Sequence, residues 1–230
     1  MFSVVIILII RGLKMQQKLI QYNADFTQNM GQGDVNCAEV FSYFEKDSYV
    51  CLSAPHATQT FTNKHVKKSD LFTGAIVRCL AESGGFSYIV RNKFVPRKVL
   101  INEFILAQGI ENHFFLDFHG MKDGNGFDLA VGTGYLSAQE YQLQLDYIDA
   151  LCRKYGIRYV VNDENYMGRA GLVGRLQKVT RQANVLQLEW RKGYRDFLTQ
   201  PENVIGVTLP FMQELAQYID AQKGTLTSAV

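Results

Sequence analysis

Three β-prone runs of this 230-residue chain end in or beside a side chain able to do chemistry. His56 follows the run at 49–53, His119 closes the run at 113–119, and Glu189 lies within 185–190. Two imidazoles and an acid suffice to hold a zinc ion while leaving one coordination position for water. A further glutamate beside that water, not itself a ligand, can serve as general base. The stretch around His119 is the best formed of the three. A mostly apolar strand gives a catalytic group rigidity, and Gly120 permits a sharp turn that would aim the imidazole at a cleft. Asp117 stands two residues before His119 and so points to the same side of the strand. From there its carboxylate can hold the tautomer of a ligand histidine. The competing reading for each histidine is a hydrogen-bonded structural residue.

Other chemistries lack their signatures. The chain has no G-x-S-x-G elbow, no H-E-x-x-H, no G-x-x-x-x-G-K and no G-x-G-x-x-G. Gly132-Thr133-Gly134 is too short for a phosphate cradle. His65 sits among Lys64, Lys67 and Lys68 and reads as solvated, and His113 has no suggestive neighbours.

The elements that must position these residues alternate. A hairpin is expected from 40–44 and 49–53, joined by Glu45-Lys46-Asp47-Ser48. Asp70 opens a helix carrying Phe72, Ile76, Cys79 and Leu80 on one face, stopped at Ser83-Gly84-Gly85. A strand at 86–91, a helix over 98–108 and the His119 strand follow. Residues 127–132 read as a strand, and Ser137-Ala138-Gln139-Glu140 as a capping box opening a helix that Gly156 ends. After a short β-rich run at 157–161, residues 162–174 read as glycine-bearing loop. The Glu189 strand and a helix from about 209 to 221 complete the chain. This alternation predicts an α/β fold, with a mixed, largely parallel sheet flanked by helices on both faces. In such sheets ligands gather at the carboxyl ends of the strands.

The three histidine- and acid-bearing segments, Ser53-Ala54-Pro55-His56-Ala57, Leu116-Asp117-Phe118-His119-Gly120 and Leu186-Gln187-Leu188-Glu189-Trp190-Arg191, occur in an order and spacing that resembles the N-formylglutamate amidohydrolase family, within the zinc-dependent exopeptidases and deacylases. Gly171 to Gly174 and Tyr194-Arg195-Asp196 add weaker echoes, and the resemblance covers about residues 50 to 200. It implies a three-layer α/β sandwich, one Zn2+, and hydrolysis of an amide bond in a small N-acyl amino acid or peptide-like carboxylate. By the same resemblance His56 and His119 are metal ligands and Glu189 is the base that deprotonates water. Many relatives take a further ligand from a glutamate three residues after the first histidine. Gln59 occupies that position here, and Asp70 is the substitute candidate, its other reading being a helix N-cap. A non-catalytic relative that binds a carboxylate in the same cleft is the alternative function.

A carboxylate substrate calls for an arginine, whose planar fork grips both oxygens. Arg91, Arg175 and Arg191 are the candidates, Arg91 and Arg175 preferred, with a solvated surface arginine as the alternative for each. Tyr194 is a candidate donor to an oxyanion, or a packing residue.

Length suits one sizeable core, with residues 37–230 as the zinc-hydrolase-like domain and 1–36 as an apolar run followed by a polar arm. The run Phe2 to Ile10 is too short to span a bilayer. It reads either as a first strand or, preferred, as a leader before a start at Met15. Residues 21–36 read as an extended or disordered arm. A net charge of +2 makes no electrostatic case for nucleic acid or an acidic membrane. Four scattered cysteines without a C-x-x-C pair fit a reducing, cytoplasmic setting. The partner expected is a small carboxylate-bearing molecule, and no oligomeric state is readable.

Overall fold

The computed structural model describes residues 2–62 and 65–223, with side chains from residue 10 onward. A seven-stranded sheet runs in the order β1-β5-β2-β6-β9-β7-β8. Its strands are β1 (Phe41–Phe44), β2 (Val50–Ala54), β5 (Ser87–Arg91), β6 (Phe114–Met121), β7 (Leu129–Gly132), β8 (Tyr159–Val161) and β9 (Val185–Arg191). A two-stranded ribbon, β3 (Thr60–Thr62) and β4 (His65–Lys67), stands apart from it. Strands β5, β2, β6 and β9 are mutually parallel, β1 is antiparallel on one edge, and β7 is antiparallel to β9.

Strand alternation sorts two unequal cores onto the two faces. Val50, Leu52, Leu116, Phe118, Leu186 and Leu188 point into the larger one. Helices α1 (Phe2–Gly31), α2 (Thr73–Gly84), α4 (Gln142–Tyr155) and α7 (Leu209–Ala221) cover it. Cys51, Phe115 and Val185 point the other way, under α3 (Ile101–Gln108) and α5 (Leu172–Thr180). The arrangement is the expected three-layer α/β sandwich with a mixed, largely parallel sheet. A turn α6 (Pro201–Asn203) and a π-helical segment Val204–Thr208 lead into α7.

Several local expectations change. The runs 40–44 and 49–53 do not form a hairpin, because β5 lies between β1 and β2. All five residues of β2 are buried, so it needs a partner on each side, while the half-exposed β1 suits an edge. The N-terminal run is helical instead of extended, and so is the 21–27 part of the expected arm. Leu19, Tyr22 and Phe26, spaced by three and four, form a narrow stripe that packs against the core next to α2. The helix breaks at Gln28 to Met30, where Asn29 and Met30 turn left-handed. Residues 172–180, inside or beyond the expected loop, form α5 around Leu172, Val173 and Leu176. Gly120 does not end its strand. It lies inside β6, and it must be glycine there because the buried guanidinium of Arg195 packs where a Cβ would sit.

Among the described residues no helix is long and apolar enough to cross a membrane, and no disulfide joins the four cysteines.

Candidate active site

The parallel register of three central strands builds the site. Ser53 is opposite Asp117, and Asp117 opposite Gln187; one step on, His119 is opposite Glu189. All five share the face of the smaller core, so a polar ladder continues where Cys51, Phe115 and Val185 leave off. Ser53 Oγ donates to Asp117 Oδ1 at 2.6 Å, and Gln187 Nε2 donates to Glu189 Oε1 at 3.1 Å. Each lower residue thus braces the one that faces the cleft.

His119 is the hub. Its Nε2 lies 2.9 Å from Asp117 Oδ2 and its Nδ1 3.2 Å from Asp70 Oδ2. With a carboxylate on each nitrogen the ring carries both protons. Burial opposes that charge, but Asp117 and Asp70 outweigh it and push the pKa up to about 10. Burial by itself would raise Asp70, yet His119 and Lys67, whose Nζ is 3.4 Å away, hold it well below the usual carboxylate range. His56, after the end of β2, has its ring centroid 5.1 Å from that of His119. Its Nδ1 is 3.2 Å from Thr60 Oγ1. Burial, then the charges of Lys67 and His119, push His56 well below the ordinary histidine value, so it is a neutral imidazole with a lone pair to offer. Burial raises Glu189 above the ordinary glutamate range, with the positive His119 opposing. A buried carboxylate poised upward in this way is suited to take a proton.

The sequence left Asp70 between two roles, and its side chain takes the site. The helix that follows has no side-chain cap, and Asp70 instead meets His119 and Lys67. Its backbone is fixed from both sides: Asp70 N donates to His56 O at 2.8 Å, and Arg195 donates to the carbonyl of neighbouring Leu71. Arg195 also donates to Trp190 O at 2.9 Å and to Met121 O at 3.1 Å, tying the Asp70 segment to the ends of β6 and β9. Gln59 faces elsewhere. Its Nε2 donates to Met30 O at 2.9 Å, at the end of α1.

A cavity of about 250 Å³ opens beside the histidines, lined by His56, His119, Arg91, Lys98 and Arg175 among others, and by no acid. Arg91 is buried, stacks its guanidinium 4.5 Å from the centre of the Phe41 ring, and donates to Pro55 O and Val99 O at 3.0 and 2.9 Å. Much of its fork is committed to shaping the wall. Arg175 is half-exposed, with Nε bonded to Ala170 O at 3.0 Å. Arg191 and Tyr194 are not brought to this cavity. Strand β7 sets Asp128 against Arg191 at 2.9 Å, Asp123 lies 3.6 Å away, and Tyr194 packs beneath that guanidinium and beside Trp190. His65 is exposed and His113 bonds Ile110 O, both outside the site.

Lys67, Gln187, Ser53 and Thr60 were not legible as site residues. Alternation with Asp117 could have flagged Ser53 and Gln187, whereas Lys67 arrives only through the β3–β4 ribbon.

By donor chemistry the group fits zinc: a neutral imidazole, a second imidazole whose far nitrogen is held by Asp117, and a carboxylate. By geometry His119 and Asp70 bond each other directly. Among the described residues no group of three or more His, Cys, Asp or Glu stands arranged to hold a metal ion.

No family model and no curated protein matches this chain. Two solved structures share its fold, and a third aligns with a lower score. A bacteriophage poly-gamma-glutamate hydrolase aligns over 83% of this chain and 92% of its own length, with TM-score 0.50 and 15% identity. A gene product from Agrobacterium tumefaciens aligns over 79% and 96%, with TM-score 0.53 and 11% identity. N-formylglutamate amidohydrolase from Ralstonia eutropha JMP134 aligns over 77% and 98%, with TM-score 0.48 and 12% identity.

Proposed function

We propose that this protein is a metal-dependent hydrolase that cleaves an amide bond in a carboxylate-bearing substrate. The observation that carries the reading is that His56, just after β2, and His119 and Glu189, opposite each other near the ends of β6 and β9, come together with Asp70 bonded to His119, beside a cavity lined by Arg91, Lys98 and Arg175 and by no acid. The shared fold with a poly-gamma-glutamate hydrolase supports it as analogy.

In this reading His56, His119 and Asp70 hold a zinc ion, which when bound would polarise the scissile carbonyl and acidify water. His119 must give up the proton on Nδ1, and Asp117 keeps the ring oriented through Nε2 while Nδ1 turns to a new partner. Glu189 takes a proton from the attacking water and delivers it to the leaving nitrogen, its raised pKa making it a stronger base than an ordinary glutamate. Arg175 and Lys98 attract the substrate carboxylate, and Arg91 forms the rigid wall behind them.

The direct His119–Asp70 bond favours one alternative, a carboxylate-binding relative without catalysis. Elemental analysis and an amidase screen separate the two. Near-stoichiometric zinc, lost in His56→Ala, with turnover that Glu189→Gln reduces by roughly 10²- to 10⁴-fold at unchanged zinc, is the expected result. Ligand binding without zinc or turnover would establish the alternative.

A further inference from the structure

The cavity beside the histidines is an indentation in the smaller core. Phe41, Ile101 and Leu172 belong to that core, Val99 packs against it, and all four reach the cavity wall together with Leu100 and Phe61. The charged groups are placed otherwise. Lys98 is exposed and Arg175 half-exposed, so both sit toward the mouth. Arg91 is buried, with Nε and Nη2 spent on Pro55 O and Val99 O and its guanidinium 4.5 Å from the centre of the Phe41 ring. The donors of a bidentate grip are thus partly taken, and what Arg91 adds to the wall is chiefly a flat surface on which a ring can stack. Neither Asp70 nor Glu189 lines this cavity, so it lies to one side of the reacting groups and can receive one half of a substrate.

We propose that this cavity takes the side chain of the carboxylate-bearing half of the substrate, and that this side chain is bulky and apolar, aromatic above all: the substrate is an N-acyl or peptidyl derivative of a phenylalanine-like amino acid, not of an acidic one. The inference deepens the hydrolase reading and rests on it for the position of the scissile bond; the binding preference stands on the cavity alone. With the carboxylate held at the mouth by Lys98 and Arg175, the substituent on the same carbon is directed to the floor between Phe41, Val99, Ile101 and Leu172. A methyl group would leave that floor wet. A phenyl ring covers it and gains Phe41 and Phe61 as aromatic neighbours. A glutamate side chain would bring a second carboxylate against apolar walls, where its lost hydration is returned only by the donors Arg91 has left. Hydrolysis then adds water across the amide C–N bond, releasing the acyl group as an acid and the apolar amino acid with a free amine.

The test compares N-acetylphenylalanine with N-acetylalanine, N-acetylglutamate and N-phenylacetylalanine, the last an isomer of the first with the ring moved across the amide. Binding is read by titration calorimetry on the full chain carrying Glu189→Gln, so that no ligand is consumed, and kcat/KM on the native protein. N-acetylphenylalanine is expected to bind at least about tenfold tighter than each of the others. Val99→Phe, which fills the floor, should reverse the order and place N-acetylalanine above N-acetylphenylalanine. No gain from alanine to phenylalanine, glutamate equal to or above phenylalanine, tighter binding of N-phenylacetylalanine, or an unchanged order in Val99→Phe each overturns the assignment; the ligand series decides it by itself if that variant does not fold. The expected binding order without turnover would refute the proposed activity and leave the preference standing. Turnover of N-acetylglutamate ahead of N-acetylphenylalanine would overturn the preference and leave the activity.

Discussion

Asp117→Asn is the sharpest probe of the ladder beneath His119. Asp117 is fully buried, accepts from Ser53 at 2.6 Å and faces His119 Nε2 at 2.9 Å. Asparagine keeps the shape but removes the charge, and one of its two ends becomes a donor. Removing one partner of a buried ion pair typically costs roughly 3–5 kcal/mol. His119 retains Asp70 at 3.2 Å, so the lower end applies, about 3 kcal/mol. For a chain of this length each kcal/mol moves Tm by about 2–4 °C, giving a drop of roughly 6–12 °C. The measurement is thermal melting with chelator present, so that bound metal makes no contribution. The pH dependence follows from the raised pKa of His119. The folded value of about 10 exceeds the ordinary 6.5, so the ion-pair contribution is whole below 6.5 and disappears as pH rises through 10. The gap between native and variant Tm should therefore shrink between about pH 7 and about pH 10.5. A drop under about 2 °C, or a gap unchanged across that range, would refute the charged-hub account of His119.

Two further outcomes follow from the same geometry. Glu189 must be ionised to accept a proton and its pKa is raised, so the acid limb of kcat/KM should fall above the ordinary glutamate range; pH profiles of the native protein check this, and a limb at the usual carboxylate position counts against Glu189 as the base. Gln59→Glu should leave zinc content unchanged while lowering stability by about 1 kcal/mol, because a carboxylate cannot donate to Met30 O; a gain in metal affinity, read by titration calorimetry, would mean that position 59 reaches the site after all.

The site was partly legible in the chain itself. His56, His119 and Glu189 could be picked out because each closes or interrupts an apolar run, and the structure does bring the ends of β2, β6 and β9 side by side. Asp117 was legible by strand alternation alone. Arg191 stood as a third, less favoured candidate beside Arg91 and Arg175, and its exclusion rests on Asp128, delivered by an antiparallel neighbour 60-odd residues earlier in the chain. The 40–53 hairpin failed for a similar reason: sequence adjacency favours local pairing, and only burial of both edges of β2 admits β5 between the two runs.

Local pattern alone determined the alternating α/β order, helix ends such as Gly85, Gly109 and Gly156, and the residue types that face the cleft, because periodicity and glycine conformation act within a few residues. Tertiary structure decided that Asp70 meets His119 instead of capping its helix, that Gln59 turns away to α1, and that Arg195 fills the space above Gly120. Each of those outcomes depends on which carbonyl or charge arrives from a distant segment, and charge and burial at a site are sums over neighbours that no window of the chain contains.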